Sequence, residues 1–581
     1  MSVLPETIFS QFYADQQQRF ELLQHQLRQT FDPFGLGETT LKAQKAWLRH
    51  PDKLYQAYTS YANDLLRLQG FTLRRYWGEP DTDVIPPHPD DPRFADPIWC
   101  DSPFWDSLKE WYLLNTRWLQ NNLYATPDLC EQERSISAFW LRQVLNAMAP
   151  TNFLLTNPTA LATALESRGV SLVKGLDNFM RDMANSDIAM TDLDAFTVGE
   201  NLATTEGAVV YRGQLLEVIH YEANTPTVHQ VPLVLVSPWI NKYYVLDLNP
   251  QKSIIKYLVD QGFSVFVTSW KNPDSSMAEV SFDDYLTDGV AQIIDVALEI
   301  SGSDKVNLLG YCIGGTLITT YLAWANRAAA AGAIKTVPVE SATLLTTLTD
   351  FERPGDIEVF IDEDGLDFID TVMEKKGYLD GKEMAASFRL LRSNSLIWNY
   401  WAGNYLMGET PMAFDVLYWN MDTTRMPKKM HRSYLRDLYW SNKLVQPDAL
   451  VLAGQPIDLA QITQPIFMVS AEEDHIAPWK QTFTLADRVS GPVQFTLSTS
   501  GHIIGIINPP GPKCKRSFWQ GEPVAGQDAD AWLQDKTQVA GSWWPNWVEW
   551  LRPYSGAQVK PKLSSRKYAK LCTAPGTYVL E

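Results

Sequence analysis

The segment Lys305-Val306-Asn307-Leu308-Leu309-Gly310-Tyr311-Cys312-Ile313-Gly314-Gly315-Thr316-Leu317 decides how this chain is read. Residues 305–309 form a short apolar run suited to a buried strand, and residues 314–327 have helical potential. Between them Gly310-Tyr311-Cys312-Ile313-Gly314 makes a sharp turn with a cysteine at its tip. A side chain held at such a tip needs strained backbone, and side chains two residues to either side would collide with it, which accounts for both glycines. The helix starting beyond Cys312 also directs its positive dipole end at the sulfur and favours the thiolate. A buried structural cysteine beside a glycine-rich turn is the bland alternative, but it explains neither the flanking strand nor the helix.

Working outward, apolar runs at 215–221, 231–236, 264–269, 342–348, 466–469 and 493–497 read as further strands. Several lack strict alternation, as strands do when both faces are buried. Helical stretches at 250–261, 282–300, 479–489 and 543–551 fill the gaps, the pattern of a largely parallel sheet covered by helices. With a nucleophile on a strand–turn–helix elbow, this is the α/β-hydrolase architecture. About a hundred residues, 351–448, interrupt the order between the fifth and sixth of these strands and read as a cap (lid) insertion over the sheet's C-terminal edge. Residues 1–200 read as a mostly helical N-terminal domain, with helices at 6–29 and 105–123 and a Pro- and Asp-rich loop over 80–103. Residues 201–581 then form the catalytic domain.

In this architecture the acid and the histidine follow the nucleophile in the chain. His502, in Ser500-Gly501-His502-Ile503-Ile504, follows the last expected strand and is the base. His431 lies in a basic stretch that reads as exposed and ranks last; His475 reads as structural or as a neighbour of the site. Among Glu472, Glu473 and Asp474, the aspartate stands just after the turn and before Pro478, and is the expected acid. The oxyanion hole combines the backbone N–H of Ile313 with that of Trp239 or Ile240, because Pro238 has no N–H to give.

Composition narrows the function classes. The 68 acidic residues exceed the 49 basic ones and the net charge is −19, which argues against a phosphate backbone as partner, so no nucleic acid is expected. No apolar run is long enough to span a bilayer, and no secretory signal is visible at Met1-Ser2-Val3-Leu4-Pro5, so a cytoplasmic protein without a transmembrane segment is expected. The five cysteines are scattered, without metal-site spacing, and no metal is expected.

The chain resembles the poly(3-hydroxyalkanoate) synthases, in particular the single-subunit class for short-chain monomers. The resemblance rests on Ile240-Asn241-Lys242-Tyr243-Tyr244-Val245, Ser269-Trp270-Lys271-Asn272-Pro273-Asp274, Gly310 to Gly315, Glu473-Asp474-His475-Ile476-Ala477-Pro478-Trp479, Ser500-Gly501-His502-Ile503 and Gly541-Ser542-Trp543-Trp544-Pro545, with Asn152-Phe153-Leu154-Leu155-Thr156-Asn157-Pro158 in the N-terminal third. It implies Cys312 as nucleophile with Asp474 and His502. It implies (R)-3-hydroxyacyl-CoA as substrate, CoA as product and no separate cofactor. It also implies a growing polyester chain and its granule surface as partners, and a homodimer. Ile504 departs from the alanine that many relatives carry there, at a position tied to monomer range. Arg392 is a candidate contact for the CoA phosphates or else a solvated helix arginine, and Trp239 a candidate substrate contact. A cysteine-dependent thioesterase or esterase of the same fold, and a non-enzymatic surface protein on a degenerate fold, are the competing readings.

Overall fold

The computed structural model describes residues 36–79, 84–86 and 91–581. The helix expected at 6–29 lies outside the described residues, as does much of the first half of the loop at 80–103. The chain forms two compact units. One takes the described residues up to Met190 with Asp362–Ile369 and Phe388–Pro411; the other takes Thr191–Ile361, Asp370–Ser387 and Met412–Glu581. The first unit thus takes two pieces of the 351–448 stretch, and the rest of that stretch belongs to the second.

The first unit is helical, with helices Leu36–Arg49, Pro51–Tyr76, Pro103–Tyr124, Glu131–Ala147, Pro158–Glu166 and Val170–Asn185. Three of them open on proline, whose missing N–H costs nothing where the first turn has no acceptor. Leu68, Phe71, Phe94, Trp99, Tyr112 and Leu114 form its core. No helix among the described residues is long and apolar enough to cross a membrane.

The second unit is built on an eleven-stranded sheet. In chain order its strands are β1 (Gly207–Arg212), β2 (Leu216–Tyr221), β3 (Leu233–Val236), β4 (Val265–Trp270), β5 (Val306–Tyr311), β6 (Val339–Leu345), β7 (Ile466–Ala471), β8 (Val493–Ser498), β9 (Ser517–Gly521), β10 (Val539–Ala540) and β11 (Cys572–Thr573). Spatially they run β10-β9-β8-β7-β6-β5-β3-β4-β2-β1-β11. The six strands from β4 to β8 in that row are mutually parallel, and the flanking strands are antiparallel. Every residue of β3, β4, β5 and β7 is buried, which is why those segments are mostly apolar without strict alternation. All seven strands expected from sequence are present, with no end shifted by more than three residues. The helix Ile313–Ala330 is buried on most sides, from Ile313 through Ala328.

Parallel strands direct their C-terminal ends to one edge, and that edge holds the loops after β3, β5 and β7 and the turn after β8. The part of the insertion belonging to this unit packs there. Asn442 donates to Asp350 at 2.8 Å beyond β6, and Met430 N–H donates to Val280 at 3.0 Å.

Candidate active site

Cys312 is the residue immediately after β5 and the cap of the helix Ile313–Ala330, with φ 54° and ψ −123°. For a residue with a Cβ this is strained backbone, held by its surroundings. Its own N–H donates to Leu345 O at 2.8 Å, tying the turn to the end of β6. A Cβ on Gly310 would stand 2.4 Å from Gly315 Cα, and one on Gly314 would stand 2.2 Å from Val236 O. Both glycines are therefore required by close approach of backbone from Gly315 and Val236, not by collision with the Cys312 side chain. The thiol is half-buried and unpaired in any disulfide.

His502 and Asp474 arrive from the ends of neighbouring parallel strands, β8 and β7. His502 Nδ1 lies 2.6 Å from Asp474 Oδ2. A carboxylate only accepts, so Nδ1–H donates and Nε2 is left for the sulfur. The other oxygen, Asp474 Oδ1, accepts the N–H groups of Ile476 and Ala477 at 2.9 Å each, which fixes the carboxylate plane. Asp474 is buried, whereas Glu472 and Glu473 face solvent, so the three competing carboxylates separate by geometry. Burial would lower the His502 pKa, but the Asp474 carboxylate and the Cys312 sulfur, each also hydrogen-bonded to the ring, outweigh it and raise it well above its ordinary value. A ring with a raised pKa beside the sulfur is suited to accept the thiol proton.

The histidine loop is pinned from below. Tyr311 OH donates to His502 O at 3.2 Å, Trp543 Nε1 to Gly505 O at 3.1 Å and Trp544 Nε1 to Ile506 O at 3.0 Å. Both tryptophans are at most 1 % exposed. Two indole N–H groups aimed at one loop are a positional fact that only the fold reveals, although Gly541-Ser542-Trp543-Trp544-Pro545 already stood out as a motif.

On the other side of Cys312, Ile313 is the first helical residue, so its N–H has no intrahelical acceptor. The loop after β3 brings Trp239 and Ile240 to the same edge. Trp239 is buried against Trp270, Phe282, Tyr285 and Tyr434, with ring centroids 4.7–6.5 Å away, so its indole is part of an aromatic wall. Tyr434 and Tyr439, from the insertion, extend that wall with Phe351, which is 4.7 Å from Tyr439. Burial first, then neighbouring groups including Cys312, holds both phenols protonated. Nothing in their sequence spacing singled them out.

The remaining expected residues divide. Ile504 sits two residues past His502 and is 39 % exposed. Arg392 is carried by the other unit. His431 is corrected: it is 4 % exposed, because the helix Lys428–Ser433 turns Met430 and His431 inward, and burial pushes its pKa down to about 4 despite Asp370. Among the described residues no cluster could hold a metal ion.

The class defined by this fold and this edge is that of the α/β hydrolases, with cysteine in place of the usual serine at the elbow. A family model described as the alpha/beta hydrolase fold matches residues 232–509, and one described as the poly-beta-hydroxybutyrate polymerase (PhaC) N-terminus matches residues 90–258. Among curated relatives, the poly(3-hydroxyalkanoate) polymerase of Methylorubrum extorquens is 40 % identical over 94 % of this chain and 89 % of its own length. The poly(3-hydroxyalkanoate) polymerase subunit PhaC of Rhizobium meliloti is 38 % identical over 93 % and 88 %, and that of Cupriavidus necator 40 % identical over 84 % and 83 %. The chain belongs to the poly(3-hydroxyalkanoate) polymerase family.

Proposed function

We propose that this protein polymerises (R)-3-hydroxyacyl-CoA thioesters into poly(3-hydroxyalkanoate), releasing CoA, through an acyl group carried on Cys312. The observation that carries the reading is the Cys312 elbow with the His502–Asp474 pair at 2.6 Å, in a chain of the polymerase family. His502 takes the Cys312 proton, and Asp474 holds the ring's tautomer and supports its charge. The thiolate attacks the thioester carbonyl, and the N–H groups of Ile313 and Ile240 bind the oxyanion. CoA leaves with the proton returned by His502. The 3-hydroxyl of the next acyl unit then gives its proton to His502 and attacks the acyl-Cys carbonyl, forming one ester bond and freeing the thiolate.

Cysteine suits a polymerase because exchange between thioesters costs little, so the bound acyl group stays activated for the next transfer. Water must be kept out, and the aromatic wall of Trp239, Phe351, Tyr434 and Tyr439 serves that purpose. Ile504, at the rim, limits the acyl side chain. The protein acts in the cytoplasm at the polymer granule, as a homodimer, and needs no cofactor beyond the CoA of its substrate. Incubation with 3-hydroxybutyryl-CoA is the test: CoA release with rising turbidity supports polymerisation, whereas soluble 3-hydroxybutyrate as the only product assigns the site to a thioesterase and overturns the proposal.

A further inference from the structure

We propose that Thr424 is a positioning residue that aims the Ile240 N–H at the oxyanion, an inference that rests on the oxyanion assignment above. Trp239 C=O and Ile240 N–H belong to one planar trans peptide and point in opposite directions. Whatever fixes the carbonyl therefore fixes the N–H. Thr424 Oγ1 donates to Trp239 O at 2.5 Å, and Thr424 and Trp239 are 5 % and 2 % exposed. Among the described residues none accepts a hydrogen bond from the N–H of Trp239 or Ile240. Of those two peptides, the carbonyl held by a buried side chain is that of the 239–240 unit, which selects Ile240 as the free, oriented donor.

Thr424 does not act on a loose loop. The strip carrying it runs alongside 239–242 as an irregular edge. Thr424 N–H approaches Ile240 O at 3.4 Å, Asn241 and Thr423 form an isolated antiparallel bridge, Trp419 Nε1 donates to Lys242 O at 2.7 Å, and Lys242 Nζ pairs with Asp422 at 2.9 Å. From the sheet side Trp270 Nε1 donates to Ser237 O at 2.8 Å. The strip belongs to the insertion, so the insertion contributes to catalysis by bracing the donor loop as well as by covering the site. Thr424 touches no reacting atom in this account; its effect passes entirely through one peptide plane.

The experiment compares wild-type protein with Thr424→Val, Thr424→Ala and Thr424→Ser, using single-turnover acylation by 3-hydroxybutyryl-CoA and, separately, alkylation of Cys312 by iodoacetamide. Alkylation needs the thiolate but no oxyanion hole. The valine variant should acylate roughly 10- to 100-fold more slowly, less than the ~10²- to 10³-fold loss on removing an oxyanion donor outright, with KM little changed. Serine should restore the rate to near wild type, and alkylation should be unchanged in all variants. If valine does not fold, judged by circular dichroism, alanine reports the same loss. Wild-type acylation in the valine or alanine variant, or a parallel loss of alkylation, overturns the proposal. A backbone ester at Ile240, made by incorporating the α-hydroxy analogue of isoleucine, separates the two levels. If it slows acylation while Thr424→Val does not, positioning by Thr424 fails alone. If it leaves acylation at the wild-type rate, the oxyanion assignment itself fails.

Discussion

Replacing Gly314 by alanine probes the packing that holds the cysteine turn against the oxyanion loop. The added Cβ would stand 2.2 Å from Val236 O and 3.0 Å from Ser237 O. Since relaxed carbon–oxygen contacts lie at about 3.3 Å or more, backbone must retreat by about 1 Å. The atoms that must move end a strand inside an eleven-stranded sheet, where close packing leaves little slack. Overpacking of this kind costs about 1–3 kcal/mol. Alanine recovers up to ~1 kcal/mol through helix propensity and a stiffer unfolded chain, though less at the second residue of a helix than in its interior. The steric effect wins, leaving a net loss of about 1–2 kcal/mol, which for a unit of this size corresponds to roughly 1–3 °C in Tm. Activity should suffer more, because Val236 and Ser237 lead directly into the loop carrying Ile240, and a 1 Å misplacement of catalytic groups can cost ~100-fold. Scanning fluorimetry and CoA release from 3-hydroxybutyryl-CoA measure the two effects. Gly70→Ala is the control: in the helix Pro51–Tyr76 its Cβ meets only the Arg74 side-chain tip at 3.3 Å, so Tm should hold or rise. Wild-type Tm and wild-type turnover in Gly314→Ala would refute the steric argument.

Asp474→Asn removes the carboxylate that raises the His502 pKa. Turnover should fall by roughly 10³- to 10⁴-fold, as when a triad acid becomes an amide, and iodoacetamide alkylation of Cys312 near neutral pH should slow because His502, without the carboxylate that supports its charge, takes the thiol proton less readily; equal alkylation profiles for variant and wild type would contradict this. Because the His502 pKa is raised in the folded state, its stabilising contribution is fully present below the unfolded value of about 6.5 and is lost as pH rises through the folded value. The urea midpoint of wild type should therefore exceed that of His502→Gln most at pH 6, with the gap shrinking on the alkaline side. Trp543→Phe keeps most of the buried ring but leaves Gly505 O without its donor. It should lower stability by about 1–3 kcal/mol and reduce kcat more than it changes KM, since the loosened loop carries His502. Equal kcat at reduced stability would confine Trp543 to packing.

Much of this fold is legible because the central strands are buried on both faces. β3, β5 and β7 have no solvent face to alternate with, so apolar residues dominate them around an occasional buried Asn307 or Ser470, and the cysteine elbow marks where one of them ends. β1 is less visible: Gly207-Ala208-Val209-Val210-Tyr211-Arg212 opens on small residues and takes its place through β2 and the two-residue β11, over 350 positions away. Such pairing has no local signal. The order Cys312, Asp474, His502 follows from topology, and the candidate acids separate only once Asp474 is seen turned inward while Glu472 and Glu473 face water. His431 misleads because its neighbours Lys428, Lys429 and Arg432 suggest an exposed turn, whereas one short helix can show its lysines to solvent and bury its histidine. Thr424, Tyr434, Trp543 and Trp544 act through tertiary contacts with residues more than thirty positions away, and no spacing rule points to them.

The central claim is that acyl groups pass through Cys312. Rapid acid quench of the protein during turnover of 3-hydroxybutyryl-CoA, followed by peptide mapping in a mass spectrometer, addresses it directly. A 3-hydroxybutyryl group or short oligomer on the Cys312 peptide, cleaved by neutral hydroxylamine and missing from Cys312→Ala, is the expected result. An acyl group on any other residue, or CoA release at the wild-type rate from Cys312→Ala, would contradict it.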